Sequence, residues 1–170
     1  KNSYVIVLED IGAEALSRIL PEIRKFPFSE ILNIMIKAAQ ALGEVHKLGL
    51  VHKDIKPHNI IFNRQTGKLQ IIDFGNASYL KKQNAYTPLN SSLEGTLAYI
   101  SPEQTGRMNR TIDYRTDYYS LGVTFYQLLT GELPFTSSDP MELVHAHIAK
   151  TPVSPFEYLL DSGLQTTGSG

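Results

Sequence analysis

Three polar side chains between Val51 and Gly75 have the types and spacing that phosphoryl transfer uses: Asp54, Asn59 and Asp73. A carboxylate at the head of a loop can orient a hydroxyl nucleophile and accept its proton. An amide five residues on, and a second carboxylate after a hairpin, can share magnesium through hard oxygen ligands. Lys56, two residues past Asp54, can place positive charge on a transferring phosphate. Such chemistry depends mostly on positioning and electrostatics, so it needs a rigid platform. The same stretch supplies one. Leu50-Val51 reads as a short strand, a polar loop follows, and Ile60–Phe62 and Leu69–Ile72 read as hairpin strands turned through Asn63–Gly67.

The flanking elements must hold that platform. Tyr4–Leu8 is rich in β-branched residues and reads as a buried strand, left through Glu9–Gly12. Ala13–Leu20 forms a short helix stopped before Pro21. A stronger helix follows, with Ser29 as N-cap, Glu30 in its first turn and an apolar stripe at Ile31, Leu32, Met35, Ala38, Ala39, Leu42 and Val45. Gly49 fits its C-terminal cap, and His46 on it reads as structural. Ala77–Glu94 is polar and aperiodic. Asp117–Gly131 reads as a buried helix closed by glycine, and an Asp in so apolar a run requires a partner. Asp139-Pro140-Met141-Glu142 is a helix start. His145 and His147 lie two apart, so they share no helix face and make a poor metal pair. Residues 156–170 read as a divergent, disordered tail.

Composition bounds the possibilities. A chain of 170 residues is one domain or part of one, and 42% hydrophobic content is enough for a core. A net charge of −1 gives no argument for nucleic acid or an anionic membrane. With no cysteine, disulfides and thiolate metal sites are excluded. No apolar run approaches the roughly 18 residues of a membrane helix. The chain begins with Lys, as a fragment, a processed product or a tagged product would, and the cytoplasm is the default location.

His52-Lys53-Asp54-Ile55-Lys56-Pro57-His58-Asn59 resembles the H-R-D-x-x-x-x-N catalytic loop of the eukaryotic-type serine/threonine protein kinases, and Asp73-Phe74-Gly75 resembles their D-F-G. Lys56 matches the serine/threonine variant of the loop. Lys53 stands where the family has Arg, so charge is kept and the planar fork is lost. Gly95–Glu103 resembles the segment G-T-x-x-Y-x-x-P-E, with Ser101 in place of Ala. Asp117–Gly122 resembles D-x-x-S-L-G.

The resemblance implies an α+β, protein-kinase-like fold. Residues 1–155 would be the last small-lobe strand, the hinge and most of the helical large lobe, with the small lobe largely missing. It implies Asp54 as catalytic base, Lys56 on the phosphate, Asn59 and Asp73 on magnesium, and Thr96 seating the substrate hydroxyl. Leu8 would be the gatekeeper, the Glu9 and Ile11 backbone would meet the adenine edge, and Ile61 would pack beneath the ring. His52, stacked with Phe74 before Gly75, would be structural, as would Glu103 with a downstream Arg and Asp117 on the catalytic-loop backbone. The implied cofactors are ATP and Mg2+; the implied partner is a protein substrate.

Gln104–Arg115 resembles the kinase domain of bacterial, especially cyanobacterial, hybrid sensor kinases, which implies histidine-kinase and sensor modules in a longer parent. The Gly-rich loop, strand Lys and helix Glu that grip ATP have no counterpart before Tyr4. The expectation is therefore a serine/threonine kinase domain inactive as this chain alone. The alternative is a non-catalytic, pseudokinase-like binding module. A small-molecule kinase fits less well, because Gly95–Glu103 matches the peptide-substrate side.

Overall fold

The computed structural model describes residues 9–80 and 97–161. The strand expected at Tyr4–Leu8, with Leu8, and Thr96 lie outside the described residues, as does most of the Ala77–Glu94 stretch. Among the described residues helices dominate, with two small antiparallel sheets beside them, and the fold is the α+β arrangement expected.

The chain enters through β1 (Glu14–Ala15), α1 (Leu16–Ile19) and a 3-10 segment, Leu20–Lys25. This corrects the single helix expected over Ala13–Leu20. Glu14 and Ala15 pair with Phe62 and Ile61, so sheet pairing takes them from the helix. Pro21 does not stop the chain. It sits in the first turn of the 3-10 segment, where its missing N–H would have no partner anyway.

Helix α2 (Phe28–Lys47) buries Ile31, Ile34, Ala38, Leu42 and Val45, a stripe at helical spacing. Its cap is Pro27 rather than Ser29. The extended Pro27 carbonyl accepts from the Glu30 and Ile31 amides, which draws Ser29 into the first turn. The helix ends on Leu48, and Gly49 turns the chain out at φ 73°. Strand β2 (Leu50–Val51) then leads into the catalytic-loop candidate.

Strands β3 (Ile60–Phe62) and β4 (Leu69–Ile71) form the expected hairpin, in register Ile60↔Ile71, Ile61↔Gln70 and Phe62↔Leu69. Gly67 takes φ 68° in its turn. Strand β5 (Ser78–Tyr79) pairs with β2, so the start of the stretch read as aperiodic is ordered by a sheet edge.

Helix α3 (Arg115–Thr130) is buried on several sides although many of its residues are polar. The hydroxyls of Ser120, Thr124 and Thr130 donate to the carbonyls of Thr116, Ser120 and Tyr126, one turn back. These bonds satisfy groups that would otherwise be costly to bury. The main core joins α1, α2, β3, β4 and α3 through Leu16, Ile34, Leu42, Ile55, Ile60 and Leu128. A smaller core seats α4 (Pro140–Ala149) on the chain after residue 96, through Leu143, Val144, Leu97 and Ile100. Asp139 caps α4 by accepting from the Met141 amide at 2.8 Å. Helix α5 (Pro155–Asp161) stands where the divergent tail is expected, a correction to that reading as far as residue 161. Pro155 starts it, and Ser154 and Glu157 bond reciprocally at its entrance.

Candidate active site

The polar loop between β2 and β3 is hung from α3. Asp117 is fully buried, and its carboxylate takes both amides at the loop's head: His52 N–H at 2.8 Å on Oδ2 and Lys53 N–H at 2.7 Å on Oδ1. His46 reaches the same Oδ2 at 2.8 Å from α2. The partner that the sequence demands for Asp117 is thus the loop backbone, and His46 stands beside it.

His52 is occupied on both ring nitrogens. Nδ1 accepts from the Asp54 amide at 3.3 Å, so Nε2 carries the proton and donates to the Ile72 carbonyl at 3.0 Å. Its ring packs edge-on against Phe74 at 4.8 Å. A histidine tied in this way has no free nitrogen for proton abstraction. Lys53 follows with φ 66°, and Asp73 takes φ 64°. Each left-handed, non-glycine residue costs about 1–3 kcal/mol, so surrounding bonds must impose it. Burial pulls the Lys53 ammonium below its ordinary range, and the nearby Asp117 carboxylate partly restores it.

Asp54 is the buried acid of the loop, 7% exposed. Its Oδ2 accepts from Lys56 Nζ at 2.8 Å and from Asn59 Nδ2 at 3.0 Å. Its Oδ1 is buried with no partner among the described residues. One oxygen is therefore held while the other is available to accept a proton. Asn59 also donates from Nδ2 to the Asp54 carbonyl at 2.8 Å. Both bonds use its nitrogen, so the amide oxygen is the atom that Asn59 offers a cation. The Asn59 carbonyl accepts from the Ile72 amide at 2.9 Å, which fixes Asp73, the next residue, relative to the loop. Asp73 is exposed and accepts from Gly75 N–H at 3.3 Å. One carboxylate and one amide oxygen form a set that suits magnesium, which keeps phosphate and water as its other ligands. No cluster of three or more His, Asp or Glu suited to a metal occurs among the described residues.

The remaining expected residues are spread around this loop. Ile61 is half-buried on β3. Glu9 is exposed; Ile11 is buried, and its carbonyl accepts from Asn63 Nδ2 at 2.7 Å. Glu103 accepts from the Thr116 hydroxyl at 2.6 Å, a partner the sequence does not single out. Ser101 is more than a stand-in for Ala. With Gln104 it closes a capping box, and Gln104 Nε2 donates to the Lys53 carbonyl at 2.8 Å. Sequence reading treats Gln104 only as the start of the Gln104–Arg115 stretch and gives it no role in the site. The signal that finds it is the Ser-x-x-Gln spacing of Ser101 and Gln104.

Comparison with known proteins shows the family. The family model described as the protein kinase domain matches residues 1–162. A probable serine/threonine-protein kinase of Corynebacterium efficiens is 34% identical over 156 residues, covering 92% of this chain and 23% of that protein. The serine/threonine-protein kinase PknB of Mycobacterium leprae is 33% identical over 150 residues, 88% of this chain and 24% of that protein. A serine/threonine-protein kinase of Streptomyces coelicolor is 35% identical over 154 residues, 88% of this chain and 27% of that protein. The chain thus spans about a quarter of the length of these relatives. With the family model matched over nearly its whole length, the chain belongs to the protein kinase domain family.

Proposed function

We propose that this chain carries the catalytic loop of a serine/threonine protein kinase that transfers the terminal phosphoryl group of Mg·ATP to a Ser or Thr hydroxyl of a protein. The observation that supports it best is Asp54: buried, held through Oδ2 by Lys56 and Asn59, with Oδ1 unpartnered among the described residues. In this reading Asp54 Oδ1 accepts the hydroxyl hydrogen and orients the oxygen for in-line attack. Lys56 stays beside Asp54 and meets the negative charge of the phosphoryl oxygens. Asn59 Oδ1 and the Asp73 carboxylate would hold magnesium, which when bound would supply charge neutralisation for the nucleotide phosphates. In the same reading the Glu9 and Ile11 backbone meets the adenine edge. Leu8 and Ile61 complete the adenine side, and Thr96 seats the acceptor hydroxyl.

The similarity of Gln104–Arg115 to hybrid sensor kinases supports sensor and histidine-kinase modules as covalent neighbours. Dependence on ATP supports the cytoplasm as the place of action. Among the described residues no helix is long and apolar enough to cross a membrane. The test is transfer of labelled phosphate from Mg·ATP to casein by the full-length protein, beside Asp54→Asn. Transfer lowered at least ~100-fold by the substitution supports the reading. Equal transfer by both proteins, or none by the unmutated one, overturns it in favour of a non-catalytic binding module.

A further inference from the structure

The peptide unit just before the Asp54 carboxylate is held at both ends. Its carbonyl, that of Lys53, accepts from Gln104 Nε2 at 2.8 Å. Its N–H, that of Asp54, donates to His52 Nδ1 at 3.3 Å. The preceding peptide is held by Lys53 N–H on Asp117 Oδ1. Lys53 sits between them in the left-handed region, at φ 66°. Rotation of the Lys53–Asp54 peptide would swing the Asp54 side chain away from Lys56 and Asn59.

The Gln104 amide oxygen is itself committed. This Oε1 accepts from the Ser101 amide at 3.1 Å, and the Ser101 hydroxyl lies at 3.1 Å from the same oxygen. That leaves Nε2 aimed at Lys53 in a fixed direction. The 3-10 turn Pro102–Thr105 that carries Gln104 is joined to the start of α3. Thr116 donates to Glu103, and the Ser101 hydroxyl lies 3.2 Å from Thr116 Oγ1. Thr116 adjoins Asp117, so a closed circuit of bonds runs Lys53, Asp117, Thr116, Glu103, Gln104 and back to Lys53. The same turn follows directly on Leu97–Tyr99 and Ile100, against which α4 packs.

We infer that Gln104 is a positioning residue. By holding the Lys53 carbonyl it sets the orientation of Asp54 and ties it to the Leu97–Gln104 segment. This rests on Asp54 being the base of the transfer reaction. The Gln104 side chain bonds Ser101 and the Lys53 carbonyl rather than Asp54, Asn59 or Asp73, so its effect falls on turnover rather than on nucleotide binding.

Two substitutions separate its two hands. Gln104→Glu keeps an acceptor for the Ser101 amide and loses the donor to Lys53. Gln104→Leu loses both. Measured in the full-length protein with Mg·ATP and casein, both should lower kcat by about tenfold and leave KM for ATP within about twofold. Hydrogen exchange of the Asp54 amide, followed by NMR without nucleotide, should quicken by about tenfold in Gln104→Glu, with little change at Leu42 or Leu128 in the core.

An unchanged kcat overturns the inference, and so does unchanged Asp54 exchange. A fall in kcat matched by exchange quickening throughout the core also overturns it, because that is general loosening. If Gln104→Leu fails to fold, Gln104→Glu decides. Asp54→Asn is run in parallel: transfer surviving that change defeats the kinase reading itself. The exchange measurement needs no catalysis, so it tests the Gln104 contact separately.

Discussion

At the scale of single residues, burial and hydrogen-bond capacity decide which polar groups hold the site and which are free to act. Asp117 and Asp54 are both buried carboxylates with different surroundings. Asp117 uses both oxygens to accept from backbone amides, and His46 adds a third bond. Asp54 keeps Oδ1 unpartnered among the described residues. An acid satisfied on both oxygens holds structure, whereas one satisfied on a single oxygen can take a proton. Asp117→Ala would leave the His52 and Lys53 amides without their acceptor, at about 1–3 kcal/mol each. Denaturant unfolding of Asp117→Ala should therefore show a loss of about 3–5 kcal/mol, as for one partner removed from a buried charged network. Asp117→Asn keeps one acceptor oxygen and should lose less. Equal losses for the two variants would mean that the loop amides find other partners.

At the scale of elements, caps and docking contacts set where the helices lie. Gly131 ends α3 at φ 78°, donating its amide to the Gln127 carbonyl. A Cβ there would lie 3.0 Å from Arg24 Nε, in a backbone region L side chains avoid. Gly131→Ala should destabilise by about 1–2 kcal/mol, read as a lowered unfolding midpoint with an unchanged denaturant slope. Helix α4 carries a second testable contact, since His147 is buried with Nδ1 2.9 Å from the Tyr119 hydroxyl and its ring edge-on to Phe135. Burial pushes its imidazole below the ordinary 6.5, partly offset by the Leu97 backbone. The unfolded chain then binds a proton that the fold does not, so stability falls as pH drops below 6.5 through that lowered value, with no contribution above 6.5. His147→Gln should flatten this acid limb in unfolding measured at a series of pH values. An unchanged limb would place the titrating group elsewhere.

The same elements explain what the sequence discloses and what it hides. Helices α2, α3 and α4 are legible because their apolar spacing, Gly131 and the Asp139 cap are local signals. So are the hairpin and the spacing of Asp54, Asn59 and Asp73. The pairing of β1 with Phe62 and of β5 with β2 is not local: each joins short segments far apart in the chain, too short for any periodicity to show. The bond from Gln104 to Lys53 is hidden for the same reason, since it crosses 51 residues; the Ser101–Gln104 spacing reveals only the local cap.

At the scale of the whole molecule, the proposed magnesium ligands come from different elements brought together by the β3–β4 hairpin. Asn59 leads into β3, Asp73 follows β4, and the Ile72–Asn59 backbone bond closes the gap. Binding of Mg·ATP to the fold alone would stabilise it by RT ln(1 + [L]/Kd), about 2.7 kcal/mol at a hundredfold excess over Kd. For a protein of this size each kcal/mol moves the melting temperature by about 2–4 °C. Scanning calorimetry of the full-length protein should thus show a rise of roughly 5–10 °C for the transition containing this domain.

Asp73→Asn isolates the charge in that response. Asp73 stands at φ 64°, a conformation Asn also adopts, so the substitution leaves the backbone undisturbed while removing the negative ligand. The expected result is an unliganded melting temperature close to that of the unmutated protein and a Mg·ATP rise reduced to about 1–2 °C. Chelation of magnesium should reduce the rise in the unmutated protein to a similar level. A full Mg·ATP rise in Asp73→Asn would place the metal on other ligands, and with it the phosphate end of the site.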